Sequence, residues 1–203
     1  MIYKKRGKVL VRINRDMPKI RKFFEERDVK KILDLGCGSG RHLVYLAKHD
    51  FLVYGIDSSN EGIRIAKGWL KRKNLKANLR VGNIFKRLPY KDDFFDALIS
   101  TSVLQHAKIR DIKFAIKEIE RILRPEGLIY ITLPRKKFKK EEIKFKIVEP
   151  RTYLLLEGDK KGVPHYFFNK KLIKKEYKNF KFYDVWIDDW GYYAILGELK
   201  NLK

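Results

Sequence analysis

Three glycines at alternate positions, Gly36, Gly38 and Gly40, constrain this chain more than any other feature. The apolar run Ile32, Leu33 and Leu35 precedes them, as a buried parallel strand requires. Leu43, Leu46 and Ala47 come after them at helical spacing. Strand, glycine turn and helix in this order let the backbone bend tightly and approach a ligand where a β-carbon would clash. The helix start adds unpaired amides and a positive dipole end. The usual dinucleotide fingerprint is Gly-x-Gly-x-x-Gly with an acidic residue about 20 positions on. Here the third glycine comes one residue early, and Asp34 stands inside the motif. Asp57 closes the next apolar run, Leu52 to Ile56, where its carboxylate can accept hydrogen bonds from two ribose hydroxyls.

The rest of the chain keeps an alternating rhythm of strands and helices. Lys8 to Ile13 alternates like a short strand or arm, and Asp16-Met17-Pro18 opens an amphipathic helix with Asp16 as its cap. Ser58 and Glu61 fit a capping box for a helix that buries Ile63, Ala66 and Leu70. A short strand, Leu79 to Val81, ends at Gly82-Asn83-Ile84, and Phe94 to Ser100 is a fourth strand. Asp111 begins a helix with Ile112, Ala115, Ile116, Ile119, Ile122 and Leu123 inward, and Arg124-Pro125-Glu126-Gly127 is a type I turn before the fifth strand. Residues 135–147 break the rhythm with a crowd of lysines, and Val148 and Tyr153 to Leu156 read as a hairpin. Asn169 caps a helix, and two late strands meet at 188–191.

Asp34 with Gly36, Gly38 and Gly40, Asp57 at the second strand end, the Phe95-Asp96 strand and the stretch RILRPEGLIYIT together resemble the class I S-adenosylmethionine-dependent methyltransferases. The resemblance implies a Rossmann-like, doubly wound α/β sheet of seven strands in the order 3-2-1-4-5-7-6. The last two strands would be antiparallel to their neighbours, with an inserted lid ahead of them at about 136–168. The cofactor would be S-adenosyl-L-methionine and the product S-adenosyl-L-homocysteine. Its binding residues would be Asp34, Gly36, Cys37, Gly38, Gly40, Asp57, Ser58, Asn83, Ile84, Ser100 and Ser102. The family usually has an acid where Asn83 stands, and Asn83 can still accept through its carbonyl oxygen. Its leading helix commonly lies over the cofactor cleft.

At 203 residues the chain is read as one domain, 1–203, with an N-terminal arm and helix at 1–29. No run of about 20 apolar residues is present, so no membrane span is expected. The basic N-terminus lacks a following apolar stretch, so no signal peptide is expected, and a cytoplasmic location fits best. One cysteine, Cys37, excludes an intramolecular disulfide; inside the glycine turn it serves as a small filler. The net charge of +23 is uneven: residues 64–91 hold ten Lys/Arg and no Asp/Glu, whereas the motif segments are near neutral. Such a field attracts polyanions, or else belongs to a lysine-rich solvated surface.

The methyl group of this cofactor is already activated, so the protein chiefly aligns donor and acceptor. His106, near the end of the fourth strand, can take a proton from an oxygen or nitrogen acceptor and is the candidate catalytic residue. The alternative is that it packs in its loop. His165 and Tyr166 are candidate substrate contacts in the insertion, and His42 and His49 read as structural. The histidines are too dispersed for a metal site. Two acceptor classes stay open: RNA, most simply tRNA, through the basic flanks and lysines such as Lys136, Lys137, Lys139 and Lys140, or a small molecule in an aromatic pocket. A non-catalytic sensor of S-adenosylmethionine is the third reading. The oligomeric state is not legible.

Overall fold

The computed structural model describes residues 12–135 and 144–201. The arm strand expected at 8–13 and the four lysines at 136–140 therefore lie largely or wholly outside the described residues. A seven-stranded sheet runs in the order β3-β2-β1-β4-β5-β10-β9. Its members are β1 (Lys31–Leu35), β2 (Leu52–Asp57), β3 (Asn78–Val81), β4 (Phe95–Thr101), β5 (Leu123–Pro134), β9 (Phe180–Ile187) and β10 (Tyr192–Leu199). Three further strands, β6 (Phe145–Glu149), β7 (Thr152–Leu155) and β8 (Pro164–Tyr166), form a separate antiparallel sheet inserted before the last two. Counted without that insert, the large sheet has the expected order 3-2-1-4-5-7-6, and β10 is antiparallel to both β5 and β9.

Alternation along the strands divides the core between the two faces of the sheet. Ile32 of β1 packs with the apolar stripes of α1 (Met17–Glu25), α2 (Arg41–Ala47) and α3 (Asn60–Arg72). Leu33 and Leu35 pack instead with α4 (Ile109–Ile122) and α5 (Lys170–Glu176). Helices on both faces leave the strand ends as the open edge, and the order reverses between β1 and β4, where such sheets bind ligands. Among the described residues no helix is long and apolar enough to cross a membrane.

Local chemistry departs from expectation in three places. The cap of α3 is Ser59, whose hydroxyl accepts from Gly62 N at 3.0 Å, not Ser58, and Glu61 pairs with Arg64. β2 extends to Asp57, whose carboxylate takes the Ser59 amide and shifts the helix start by one residue. Ser59→Ala should cost about 1 kcal/mol in urea denaturation. The cap role would be wrong if Ser58→Ala cost more. Asp16 precedes α1 but makes no cap bond with its side chain; that carboxylate accepts from Tyr130 Oη and Trp186 Nε1, both at 3.0 Å, and pins the helix to the sheet. Arg124–Gly127, expected as a type I turn ahead of the fifth strand, lies inside β5, which already begins at Leu123; Glu126 there has φ +64°, the sign a type II turn requires at its third residue. Gly127 then fits because a Cβ there would stand 2.8 Å from Arg124 O.

Candidate active site

β1 ends against the carboxyl end of β2, and the glycine turn folds over both. Gly36, Gly38 and Gly40 all have positive φ, +79°, +54° and +87°, which L side chains rarely adopt. The amides of Gly36 and Cys37 donate to Ile56 O, and the Gly38 amide donates to Asp57 Oδ2 at 2.8 Å. Asp57 Oδ1 accepts from Ser59 N at 2.8 Å. One carboxylate thus ties the glycine turn to the start of α3, and its remaining lone pairs can meet hydroxyl donors. Ser58 beside it is exposed.

Asp34 lies one step before the turn and is 1% exposed. Burial pushes its carboxyl up to about 7; Asp57 adds to the rise, while Arg41 and the Leu43 amide oppose it. Its Oδ2 has no hydrogen-bond partner among the described residues. A buried carboxylate oxygen left unpaired is costly unless something cationic or donating meets it. Cys37 is buried, and burial raises its thiol well above the ordinary range, so it stays protonated and fills space next to Gly55. That fits the filler role.

The other expected cofactor residues fall at the same strand edge but differ in availability. Asn83 is exposed at the end of β3, and its Oδ1 accepts from Phe85 N at 2.8 Å; Ile84 beside it is buried. Ser102 has φ +58° after β4 and is held by its amide on Thr132 Oγ1. Ser100 is fully buried, and its hydroxyl donates to Leu35 O at 3.0 Å. Its side chain joins β4 to β1 rather than facing open space.

The loop after β4 and the inserted sheet meet. Tyr166 N donates to Gln105 O, and Ile109 N donates to Glu149 Oε1. This brings His106 and His165 to 4.6 Å between ring centroids, edge to face. His165 Nδ1 lies 2.9 Å from Val163 O and so carries its proton there. His106 Nε2 faces two donors at 3.4 Å, Lys160 Nζ and Gln105 Nε2, which makes Nε2 the acceptor nitrogen. Burial lowers both rings, His106 to about 3 with help from Lys160, and His165 to about 4. Both are neutral at neutral pH.

Beside them is a cavity of about 220 Å³ lined by Gln105, Pro134, His165, Phe167, Trp190 and Tyr192. It opens where β4 and β5 end and β10 begins. Neither Tyr166 nor His106 lines it; His106 stands behind His165. In an extended segment neighbours point to opposite sides. Tyr166 packs with Phe168 in the core at 4.8 Å, while His165 and Phe167 share the cavity face. That alternation was available from the sequence; the contribution of Trp190 and Tyr192 from the distant β9–β10 turn was not. His42 is buried between Asn14 N, at 3.1 Å from Nε2, and Thr101 Oγ1, at 3.2 Å from Nδ1, and burial lowers it to about 3. Among the described residues no group of three His, Cys, Asp or Glu is placed to hold a metal ion.

Comparison with known proteins matches this arrangement. A family model described as "Methyltransferase domain" covers residues 33–131, which run from the middle of β1 into β5. A SAM-dependent methyltransferase from Methanosarcina mazei superposes with a TM-score of 0.75 at 25% identity, covering 90% of this chain and 97% of that one. Residues 33–131 thus match the methyltransferase-domain family, and the chain is similar in sequence and fold to class I S-adenosylmethionine-dependent methyltransferases. By sequence it is 31% identical over 109 residues to the ubiquinone biosynthesis O-methyltransferase of Pelagibacter ubique, over 54% of this chain and 44% of that protein. It is 34% identical over 105 residues to the norajmaline N-methyltransferase of Rauvolfia serpentina, over 50% of this chain and 35% of that protein. The chain thus spans half or less of the length of these two curated relatives.

Proposed function

We propose that this protein transfers the methyl group of S-adenosylmethionine to a small planar acceptor seated between His165 and the β9–β10 turn, with His106 behind His165. The observation that carries this reading is the meeting of His106 and His165 beside a cavity walled by Phe167, Trp190 and Tyr192. A volume of about 220 Å³ suits a small ring system, and aromatic walls offer it stacking surface. Relatives named for O- and N-methylation support a small acceptor, although their acceptor atoms differ.

S-adenosylmethionine supplies a methyl group already activated on a sulfonium. The residues present fit this cofactor: the glycine turn gives a bare backbone cradle, Asp57 offers acceptors for ribose hydroxyls, and the unpaired Asp34 Oδ2 suits a cationic ligand. Asn83, Ile84, Ser58 and Ser102 would flank it. His106 Nε2 would take the O–H or N–H hydrogen of the acceptor in exchange for the Gln105 amide, 3.4 Å away, and aim the lone pair at the methyl carbon. With its ring lowered to about 3, His106 acts as an orienting acceptor rather than a strong base. The inserted sheet would serve as the lid that excludes water, since it delivers His165 and Lys160 to the loop after β4.

Methyl-labelled S-adenosylmethionine incubated with a cell extract, then separated by size, tests the proposal. Label is expected in the small-molecule fraction. Label in RNA overturns the acceptor class, and cofactor binding without transfer supports a sensor instead. For the cofactor half, Asp57→Ala should weaken S-adenosylmethionine binding about tenfold or more, because a charge-assisted hydrogen bond contributes about 1.5–3 kcal/mol. Cys37→Ala should change it less, since the Cys37 backbone is what the turn uses. Equal losses by titration calorimetry would remove Asp57 from the ribose site.

A further inference from the structure

We infer that the face formed by α3, the turn after it and β3 is a docking groove for single-stranded RNA, separate from the acceptor site. Residues 64–91 carry ten Lys/Arg and no acid. Elsewhere several surface cations are paired, among them Arg15 with Asp189, Lys22 with Glu26, Lys113 with Glu176 and Lys181 with Glu198. On this face only Arg64 pairs among the described residues, with Glu61. Lys67, Lys71 and Lys76 are exposed and make no ion pair among the described residues. A surface stabilised by ion-pair networks needs both signs, and the stretch of this face from 67 to 76 carries one.

These three lysines rim an open groove of about 550 Å³ whose floor is apolar, with Leu52, Leu70, Leu75 and Ala77. Leu52 is 48% exposed. Lysines at the rim match phosphates, and an aliphatic floor takes the faces of unpaired bases. A duplex would offer the floor nothing, because its bases are stacked inside. A membrane surface fits less well. Of the apolar residues of α3, Ile63 and Ala66 are buried against the sheet and Leu70 shows only an edge to the groove floor, so no apolar helix face is left to enter a bilayer.

The groove lies at the start of β2 and β3, whereas Asp57 and the glycine turn lie at the end of β2. Five steps along β2 separate the two by on the order of 17 Å. RNA in the groove is therefore a bound partner and not positioned as the methyl acceptor.

The test is fluorescence anisotropy of the full chain with a labelled, mixed-sequence single-stranded RNA of about 16 nucleotides, over a range of salt. Log affinity should fall linearly with log salt. Lys67→Gln/Lys71→Gln/Lys76→Gln should reduce that slope by about 2, at about 0.7 per phosphate. Lys22→Gln/Lys113→Gln/Lys181→Gln, which removes the same charge from paired lysines, should leave it unchanged. S-adenosylmethionine binding, the check on folding, should be the same in all three proteins. Equal flattening by both triples, a salt-independent native protein, or duplex RNA binding as tightly as single strands would overturn the inference. So would loss of binding to phosphatidylserine vesicles, but not to RNA, in the groove triple.

Discussion

Replacing Asp34 with asparagine is expected to stabilise the ligand-free protein above pH 7 while weakening its hold on S-adenosylmethionine. The carboxyl is fully buried, and burial pushes it up to about 7 from an ordinary aspartate value near 3.8. Between these values the unfolded chain has lost the proton and the folded chain keeps it. The folded state binds more protons there, so stability falls as pH rises through that window and stays reduced above it. Three pH units correspond to about 4 kcal/mol at most. Asparagine carries no charge to bury, so its stability should not decline from pH 5 to pH 8 on this account. Binding has the opposite sign. A cationic ligand beside Oδ2 favours the ionised carboxyl, so affinity for S-adenosylmethionine should rise with pH up to about 7 and then level off. The asparagine variant should lose both the affinity and its pH dependence. Urea denaturation at pH 5 and 8, with calorimetry on the same samples, reads both effects. A variant less stable than the native protein at pH 8, or one with native cofactor affinity, would remove the charge from Asp34.

The large sheet was legible because its strands are short apolar runs that need cover on both faces, and that pattern is written locally. Ile32, Leu33 and Leu35 announce β1, and the glycines announce the tight turn into α2. The misreadings came from side chains whose partners lie elsewhere. Ser58 and Ser59 look alike in sequence, and only the Asp57 carboxylate decides which of them caps α3. Glu126 adopts a positive φ between Leu123, which pairs with Phe95, and Leu128, which pairs with Ala97. Four residues of β5, 124–127, stand opposite the single Asp96 of β4 there, a constraint no turn propensity encodes. β8 is three residues long and begins at Pro164, too short for a periodic signal.

The candidate site divides along the same line. Asp57 and the glycine turn are contiguous motifs and could be named in advance. The unmet Oδ2 of Asp34 could not, because a missing hydrogen bond is a property of everything around it. Nor could the contact of His106 with His165, 59 positions apart, which exists only because Tyr166 N anchors the insertion on Gln105 O. The lysine groove is intermediate. Its charge stands in the sequence, but the open groove that the lysines rim is visible only in three dimensions.

His106→Ala is expected to reduce kcat by about 10²-fold or more once an acceptor is in hand, the lower end for a side chain that handles the transferred proton. The pH profile separates the orienting role from that of an ordinary histidine base. With His106 held near 3 and His165 near 4, both rings are neutral across the physiological range. The kcat at saturating S-adenosylmethionine should therefore be flat from pH 5 to 8, while the affinity for S-adenosylmethionine still changes near 7 through Asp34. An unperturbed histidine base would instead impose an acid limb centred near 6.5. Lys160 supplies the sharper discrimination. Burial is the larger cause of the His106 shift and the Lys160 cation the second. Lys160→Met should thus move the acid limb upward, toward but not up to 6.5, and leave S-adenosylmethionine affinity unaltered. His165→Ala should cost less than His106→Ala, because the His165 proton is already committed to Val163 O. A native profile with its acid limb at 6.5, or a His106→Ala enzyme within twofold of native kcat, would return His106 to the status of a packed loop residue.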